Sequence, residues 1–441
     1  MLELEHYTEK VAAMDCMTYQ GRVKRMSGAI VEAHGPQVAV GELCEILPRD
    51  SDANRIRAEV VGFRENTTIL MPLEKLNGIR AGDPVVSSNG DLKVGLGMKL
   101  LGRVLDGLGD PIDGGEDIAC PHSSPIYNDA PPPLERGSIE KPLNTGVRAI
   151  DMPLTLGRGQ RVGIFAGAGV GKSTLLAQIA RNAEADANVI ALVGERGREV
   201  REFIENTLGP EGLEKSVVVV ATADMPPLLK VKAAFTSTTI AEYLRDQGLH
   251  VLYMMDSLTR VANSQREIGL AAGEPPTAQG YPPSVFSLIP ELTERLGNSR
   301  RGSITGIYSV LVERDDFTEP VADAVRASLD GHIILSRRLA DRGHYPAIDI
   351  LGSISRLQRD VADEAELEMS RKLRSIISTY REAEDLIKIG AYNKGTSPAI
   401  DRAMDLMPEV NSFLQQDMNE SCPHRESCAH LKSITDHWNF M

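Results

Sequence analysis

The chain has 441 residues, 42% hydrophobic and 25% charged, with a formal net charge of −14 and 4% aromatics. That length carries two or three domains with real cores; the acidic balance and the shortage of aromatic stacking platforms weigh against a nucleic-acid partner. The apolar runs fall far short of the ~18–20 residues a membrane-spanning helix needs, Met1–Met17 carries acids without the apolar centre of a secretory signal, and five cysteines (Cys16, Cys44, Cys120, Cys422, Cys428) suggest a reducing, cytoplasmic setting rather than a disulfide framework.

Residues 2–17 place Leu2, Tyr7, Val11 and Met14 for a short amphipathic helix, marginal on its own. It reads either as a frayed terminus or as a docking segment that orders on a partner. Between 21 and 90, the runs GRVKRM, GAIVEA, QVAV, ELCEIL, RAEVVGF, TTILMPL and DPVVSS are punctuated by Gly, Pro, Asn and Asp. Many short strands with close turn signals predict a small β-barrel. Residues 91–160 are loop-rich, with a turn cluster at Gly102–Gly114 and three consecutive prolines within 128–134. They read as a built connection rather than a flexible linker.

From 161 to about 350, β-like runs (RVGIFA, NVIALVG, VVVVAT, VLYMMD, GSITGIYSVLV, HIILS) alternate with helical ones (STLLAQIARNAEA, REVREFIENTLG, TTIAEYLRDQG, DAVRASLDG). The alternation predicts an α/β domain with a mostly parallel sheet. Val217–Val220 is nearly continuous apolar, as a strand buried on both faces should be. From about 357 the chain is helical. Leu373, Ile376, Ile377, Tyr380, Ala383 and Ile387 recur at helical spacing up to a stop at Gly390, and a second stretch carries Ile400, Met404, Met407, Phe413 and Leu414.

The chemistry centres on RVGIFAGAGVGKSTL, residues 161–175. A strand enters a loop of Gly167, Ala168, Gly169, Val170 and Gly171, then Lys172, Ser173 and Thr174 open a helix. Glycines let backbone N–H groups approach phosphate oxygens, and the helix presents its positive end to them. Lys172 reaches the terminal phosphates, and the Ser173 hydroxyl holds Mg²⁺. Ala166 stands where the usual pattern has glycine. The competing reading is a tight strand-to-helix turn with no ligand. Asp256 ends the apolar run VLYMMD, a place from which a carboxylate binds Mg²⁺ beside a phosphate loop; alone it would be an ordinary strand end. Glu195, in GERGRE, is the candidate that orients the attacking water, against the reading of a solvated loop glutamate. Phosphoryl transfer also needs further positive charge on its transition state, and composition does not choose among the many arginines.

GIFAGAGVGKST, GERGREV, MMDSLTR, REIGLAAGEPPTAQGYPPSVF (266–286) and RGHYPAIDILGSISR (342–356) together resemble the F1/V-type rotary ATPase superfamily. Within it the chain is most similar to the type III secretion ATPases, the flagellar protein-export ATPase and its injectisome relatives, over roughly residues 20–415. The Ala166 departure is shared by that branch. The resemblance implies a RecA-like P-loop ATPase domain (93–356) with an N-terminal β-barrel (21–92), a C-terminal helical domain and polar tail (357–441), and a regulator-binding segment at 1–20. It also implies roles: Glu195 polarises water, Arg196 couples its strand to the subunit interface, and Arg260 lies near the γ-phosphate. Arg356 is the finger given to the neighbour's site, and Tyr345 packs on adenine. A chain carrying both Glu195 and Arg356 needs a ring of identical subunits if the finger acts in trans.

The implied activity is Mg-ATP hydrolysis driving protein export through the flagellar type III apparatus, with the injectisome as the alternative. A Rho-like nucleic-acid translocase and an inactive nucleotide-binding subunit are readings of other classes. The partners implied are a homohexamer, a coiled-coil stalk in its pore, a stator-like regulator at the N-terminus, and export chaperones with their substrates. Nucleic acid is not expected, and association with the inner membrane would be peripheral, through the export gate. Mg²⁺ with ATP is the expected cofactor. Cys422, His424, Cys428 and His430 are closely spaced, but not as in a standard zinc finger, so no structural metal is expected and the tail reads as polar and partly disordered.

Overall fold

The computed structural model describes residues 20–48, 55–88, 90–312 and 318–440; the docking segment expected at 2–17 lies outside them. β1 (Gln20–Ser27), β2 (Ile30–His34), β3 (Leu43–Ile46), β4 (Ile56–Arg64), β5 (Thr67–Pro72) and β6 (Pro84–Ser87) close a barrel in the order β1-β2-β5-β4-β3-β6. Alternation turns Val23, Val31, Ala33, Cys44, Ile46, Ala58, Val60, Leu70 and Val85 inward, and these modest side chains suit a six-stranded lumen. The strand expected at QVAV does not form. Gly35 takes φ +67, Pro36 contributes no N–H, and Val40 is left 63% exposed.

The loop-rich connection is built into the fold. β7 (Lys93–Leu96) pairs with β9 (His122–Pro125), and β8 (Val104–Asp106) becomes the edge strand of the main sheet. β10 (Pro142–Leu143) and β11 (Leu156–Gly157) form a short ribbon before the phosphate loop. The main sheet contains β12 (Arg161–Ala166), β13 (Ala187–Val193), β14 (Ser216–Ala221), β15 (His250–Asp256), β17 (Ser303–Leu311), β18 (Gly331–Leu335) and β19 (Ile354–Ser355), and a short β16 (Gly297–Asn298) pairs with β17. Its order is β19-β18-β12-β17-β15-β13-β14-β8. All pairs from β18 to β8 are parallel, and β19 is antiparallel.

Val217–Val220 shows why its run is continuous. Val217 and Val219 enter the core beneath the helices Pro227–Asp246, Leu258–Ala272 and Pro283–Thr293, while Val218 and Val220 enter the opposite core with the helix Lys172–Asn182. The helix Pro227–Asp246 begins well before the TTIAEYLRDQG stretch that signalled it. Its first half ends on Thr236, whose hydroxyl donates to the Gly107 carbonyl, and Thr238 and Thr239, which open the signalled stretch, donate to the carbonyls of Ala234 and Ile126. A periodicity search sees those threonines as polar, but their hydrogen bonds make them buriable. Lys232 of the same helix is fully buried against Glu59 of β4 and the Tyr127 hydroxyl, fastening the barrel to the sheet. Removing one partner of such a buried pair typically costs about 3–5 kcal/mol, because the other charge is left without compensation.

Among the described residues, the C-terminal region is a short turn of helix, Gln358–Val361, followed by three longer helices. Glu364–Lys388 starts with a capping box, Asp363 accepting from Glu366 N and Glu366 returning to Asp363 N, and Gly390 follows its end at φ +70. Pro398–Leu414 packs beside it. The tail corrects the expectation of partial disorder: His424–Thr435 is a third helix, and Leu431, Ile434 and Trp438 enter the same core as the phosphate-loop helix. The spacing Leu431, Ile434, Trp438 is itself amphipathic, but the clustered Cys and His residues drew attention away from it. Trp438 is the chain's one tryptophan and is 1% exposed. Its emission is therefore expected to be blue-shifted and poorly quenched by iodide. Trp438→Ala is expected to destabilise the C-terminal helices by about 3 kcal/mol in denaturant unfolding followed by circular dichroism; a solvent-like emission spectrum would contradict this packing.

Candidate functional site

Parallel strands deliver their connecting loops to one edge of the sheet. Ala166 of β12 is level with Leu311 of β17, and Asp256 of β15 is level with Leu192 of β13. The phosphate loop, the Gly194–Glu195 turn and Asp256 therefore meet at the C-terminal ends of the strands, where open α/β sheets bind ligands. Gly169 and Gly171 have φ of +77 and +89, a conformation that opens the loop's backbone, and Val170 between them is buried as its anchor. Lys172, Ser173 and Thr174 begin the helix.

Lys172 is buried, and its ammonium is held by Asp256, with Glu195 Oε1 at 3.8 Å. Ser309 Oγ donates to Asp256 Oδ1 at 2.7 Å, fixing the carboxylate from β17. Burial first, and then the Asp256 charge, pushes the Glu195 carboxyl above its ordinary value. A cavity of about 240 Å³ opens here, lined by Ser173, Thr174, Glu195, Glu199 and Asp256, with Phe203 as a wall. Its donors are hydroxyl and carboxylate oxygens, the hard set that suits Mg²⁺. Among the described residues no group of three or more His, Cys, Asp or Glu is placed to hold a metal. Mg²⁺ does not require one, since it is commonly bound by one or two carboxylates together with substrate phosphates and water.

The arginines separate. Arg260 lies one turn into the helix that Ser257 caps, and its stem lies against Gly194, where any Cβ would come within 2.8 Å. That contact and a φ of +76 explain the glycine before Glu195. Arg196 is an N-cap residue with its side chain 79% exposed, 3.4 Å from Glu199 Oε1. Arg356 is far away. Ser355 pairs with Gly331, at the start of β18, whereas Leu335 at its other end pairs with Ala166. Roughly 13 Å of strand separates those two ends, and the exposed Arg356 projects from the edge opposite its own phosphate loop.

Tyr345 is 45% exposed, with its ring 3.4 Å from where a Cβ on Gly171 would stand. Gln416 N donates to the Tyr345 carbonyl at 2.9 Å, so the C-terminal helices reach the site. The tail cluster disperses: His424 Nε2 meets Glu366 Oε1 at 2.7 Å, Ser427 Oγ donates to Cys422 Sγ, and His430 stands edge-on to Phe413. Sequence reasoning missed Glu199 and Ser309. Glu199 carried a usable signal, one helical turn after Glu195; Ser309 carried none, since only sheet register brings it to Asp256.

Residues 146–355 match the ATP synthase alpha/beta family nucleotide-binding domain, 23–89 its beta-barrel domain, and 362–433 the T3SS EscN ATPase C-terminal domain. The last match extends the resemblance beyond residue 415 into the tail helix. The chain is 50% identical to a "Flagellum-specific ATP synthase" of Bacillus subtilis over 94% of its own length and 95% of that protein. It is 48% identical to a "Type 3 secretion system ATPase" of Xanthomonas euvesicatoria, with 94% of each covered. Among solved structures, the assembled ATPase EscN of the enteropathogenic E. coli type III secretion system superposes with a TM-score of 0.88 at 43% identity, over 94% of this chain and all of that one. The same ATPase in complex with its central stalk EscO gives 0.87 at 43% identity, with the same coverage.

Ser309→Ala should loosen Asp256, and the Mg²⁺ concentration needed for half-maximal nucleotide binding should rise about three- to tenfold, less than the ~1.5–3 kcal/mol of a whole hydrogen bond to a charged group because Ser309 acts on the metal only through the carboxylate. Titration of Mg²⁺ with a fluorescent nucleotide reads this, and an unchanged midpoint would contradict the fixing role.

Proposed function

The chain belongs to the ATP synthase alpha/beta family, in the branch of type III secretion ATPases, and from that premise we propose that it hydrolyses Mg-ATP to drive protein export through a flagellar type III apparatus. The observation that carries the chemistry is Lys172 held between Asp256 and Glu195 on a phosphate loop at the strand ends. The names of the relatives favour the flagellar system; the injectisome reading shares the same site.

In this reading the backbone N–H groups of Gly167–Lys172 hold the triphosphate, Lys172 exchanges its carboxylate partners for β- and γ-phosphate oxygens, and Tyr345 stacks on the base. Ser173 and Asp256 would hold Mg²⁺, which would neutralise phosphate charge. Glu195 accepts the proton of a water attacking the γ-phosphorus, ADP leaves, and phosphate and ADP are the products. Arg260 faces the terminal phosphate from beside Gly194. Arg356 supplies positive charge to the site of the next copy, because its own phosphate loop is at the other edge of its sheet. Arg196 lies outward, in keeping with an interface role. Six identical copies in a ring, a coiled-coil stalk through the pore, a regulator at the N-terminal segment and peripheral attachment at the membrane complete the proposal. The support for assembly and stalk is likeness to EscN and EscO.

Glu195→Gln should lower hydrolysis by about 10²–10⁴-fold while nucleotide still binds, and retained turnover would reject the assigned base. The pH dependence has a definite sign. A carboxyl raised by burial takes up its proton at a higher pH than an ordinary glutamate, so the base is lost as pH falls through that raised value. The acid limb of kcat/KM should therefore lie above the ordinary carboxylate range, and a limb at ordinary glutamate values would contradict the burial argument.

A further inference from the structure

The segment Ser336–Tyr345, which leaves β18, touches the phosphate loop at two points. Arg337 Nη2 donates to Ala168 O at 3.0 Å near the upstream end, and the Tyr345 ring covers Gly171 at the downstream end. The same segment is gripped from behind by the helix Glu364–Lys388. Glu384, only 6% exposed, receives Arg338 and Arg342 from the segment and Lys388 from its own helix, the last two at 3.0 and 2.6 Å. Burial alone would raise this carboxyl, but hydrogen bonds from Lys388, Arg342 and Arg338 outweigh it and hold it down at about 2. The grip thus stays ionised across the neutral range. One carboxylate faces three cations, so removing its charge leaves three like charges crowded together.

The Arg337 contact has a specific consequence for phosphate binding. A trans peptide is planar, with its C=O and N–H pointing in opposite directions. Pinning Ala168 O outward therefore turns the next N–H, that of Gly169, into the loop, where a phosphate oxygen would meet it. Neither Arg337 nor Glu384 lines the cavity shared by Ser173, Glu195 and Asp256.

We propose that Ser336–Tyr345 is a strap that holds the phosphate loop in its binding shape, with Arg337 and Glu384 as positioning residues for the nucleotide. The proposal rests on the ATPase reading. A loosened strap lowers nucleotide affinity and leaves the hydrolytic groups in place, so the loss falls on KM more than on kcat.

The test uses the full chain and compares wild type with Arg337→Ala, Arg337→Lys, Glu384→Gln and the double variant Arg337→Ala/Glu384→Gln. It measures KM and kcat for ATP, the affinity for a non-hydrolysable analogue, and the melting temperature. Each of Arg337→Ala and Glu384→Gln should raise KM about tenfold, the scale of one charge-assisted hydrogen bond. Arg337→Lys should recover most of that loss, because a single donor suffices for Ala168 O. The double variant should be no worse than about twofold beyond the weaker single, since both changes release one strap. Wild-type KM and analogue affinity in Glu384→Gln, or losses that multiply in the double variant, would overturn the proposal. Glu384→Gln keeps the side chain's shape; if it fails to fold, Arg342→Gln takes its place with the same expected result. A wild type that binds the analogue without hydrolysing ATP would defeat the enzyme reading alone, and the affinity series would still decide the strap.

Discussion

The polarity of one parallel sheet governs this protein. Because β12, β13, β15, β17 and β18 all run the same way, the phosphate loop, Glu195 and Asp256 arrive at one edge from widely separated parts of the chain. The same polarity sends Arg356 to the other edge through the antiparallel β19. Within one copy, Arg356 and the phosphate loop therefore stand at opposite ends of β18. A site that needs both is divided between copies by the topology of the sheet, before any interface is considered.

The flanking domains are tied to this sheet by polar contacts that differ in kind. The barrel is held by Lys232 and Glu59, a buried pair in which each charge depends on the other. The helical domain is held near the site by Arg148, whose backbone N–H meets Gln416 Oε1 at 2.9 Å and whose guanidinium reaches Phe413 O at 3.0 Å and Gln415 O at 2.6 Å. Those carbonyls lie at the C-terminal end of the helix Pro398–Leu414, where a cation is favoured both by unpaired C=O groups and by the helix dipole. Glu384 adds a third tie on the other side of Tyr345. The barrel contact is suited to permanence, whereas the contacts around Tyr345 are partly exposed and lie beside the groups expected to meet the nucleotide.

Legibility in the sequence followed the range of the interactions. The phosphate loop is local, so its glycines, Lys172 and Ser173 declare it within one short window. Val217–Val220 declares a strand buried on both faces for the same reason. Pattern reading failed where a distant partner changes what a residue means. Thr236 looks polar until its hydroxyl finds a carbonyl, and QVAV looks like a strand until Gly35 and Pro36 divert the chain. The tail looked like loose Cys and His residues, although Leu431, Ile434 and Trp438 belong to the main core. For the site, resemblance supplied Arg356 and Tyr345, which composition did not distinguish from ordinary surface residues. Ser309, Arg337 and Glu384 needed the fold, because register and side-chain contact alone connect them to the loop.

The division of the site between copies is most directly tested by mixing two defective chains. A Glu195→Gln chain keeps its finger and lacks its base, and an Arg356→Ala chain keeps its base and lacks its finger. If Arg356 acts in trans, rings co-assembled from both contain interfaces with an intact base and an intact finger, and ATP hydrolysis should reappear in co-purified mixed rings although each variant alone is nearly inactive. Mixed rings that stay as inactive as the separate variants, at every mixing ratio, would contradict the divided site.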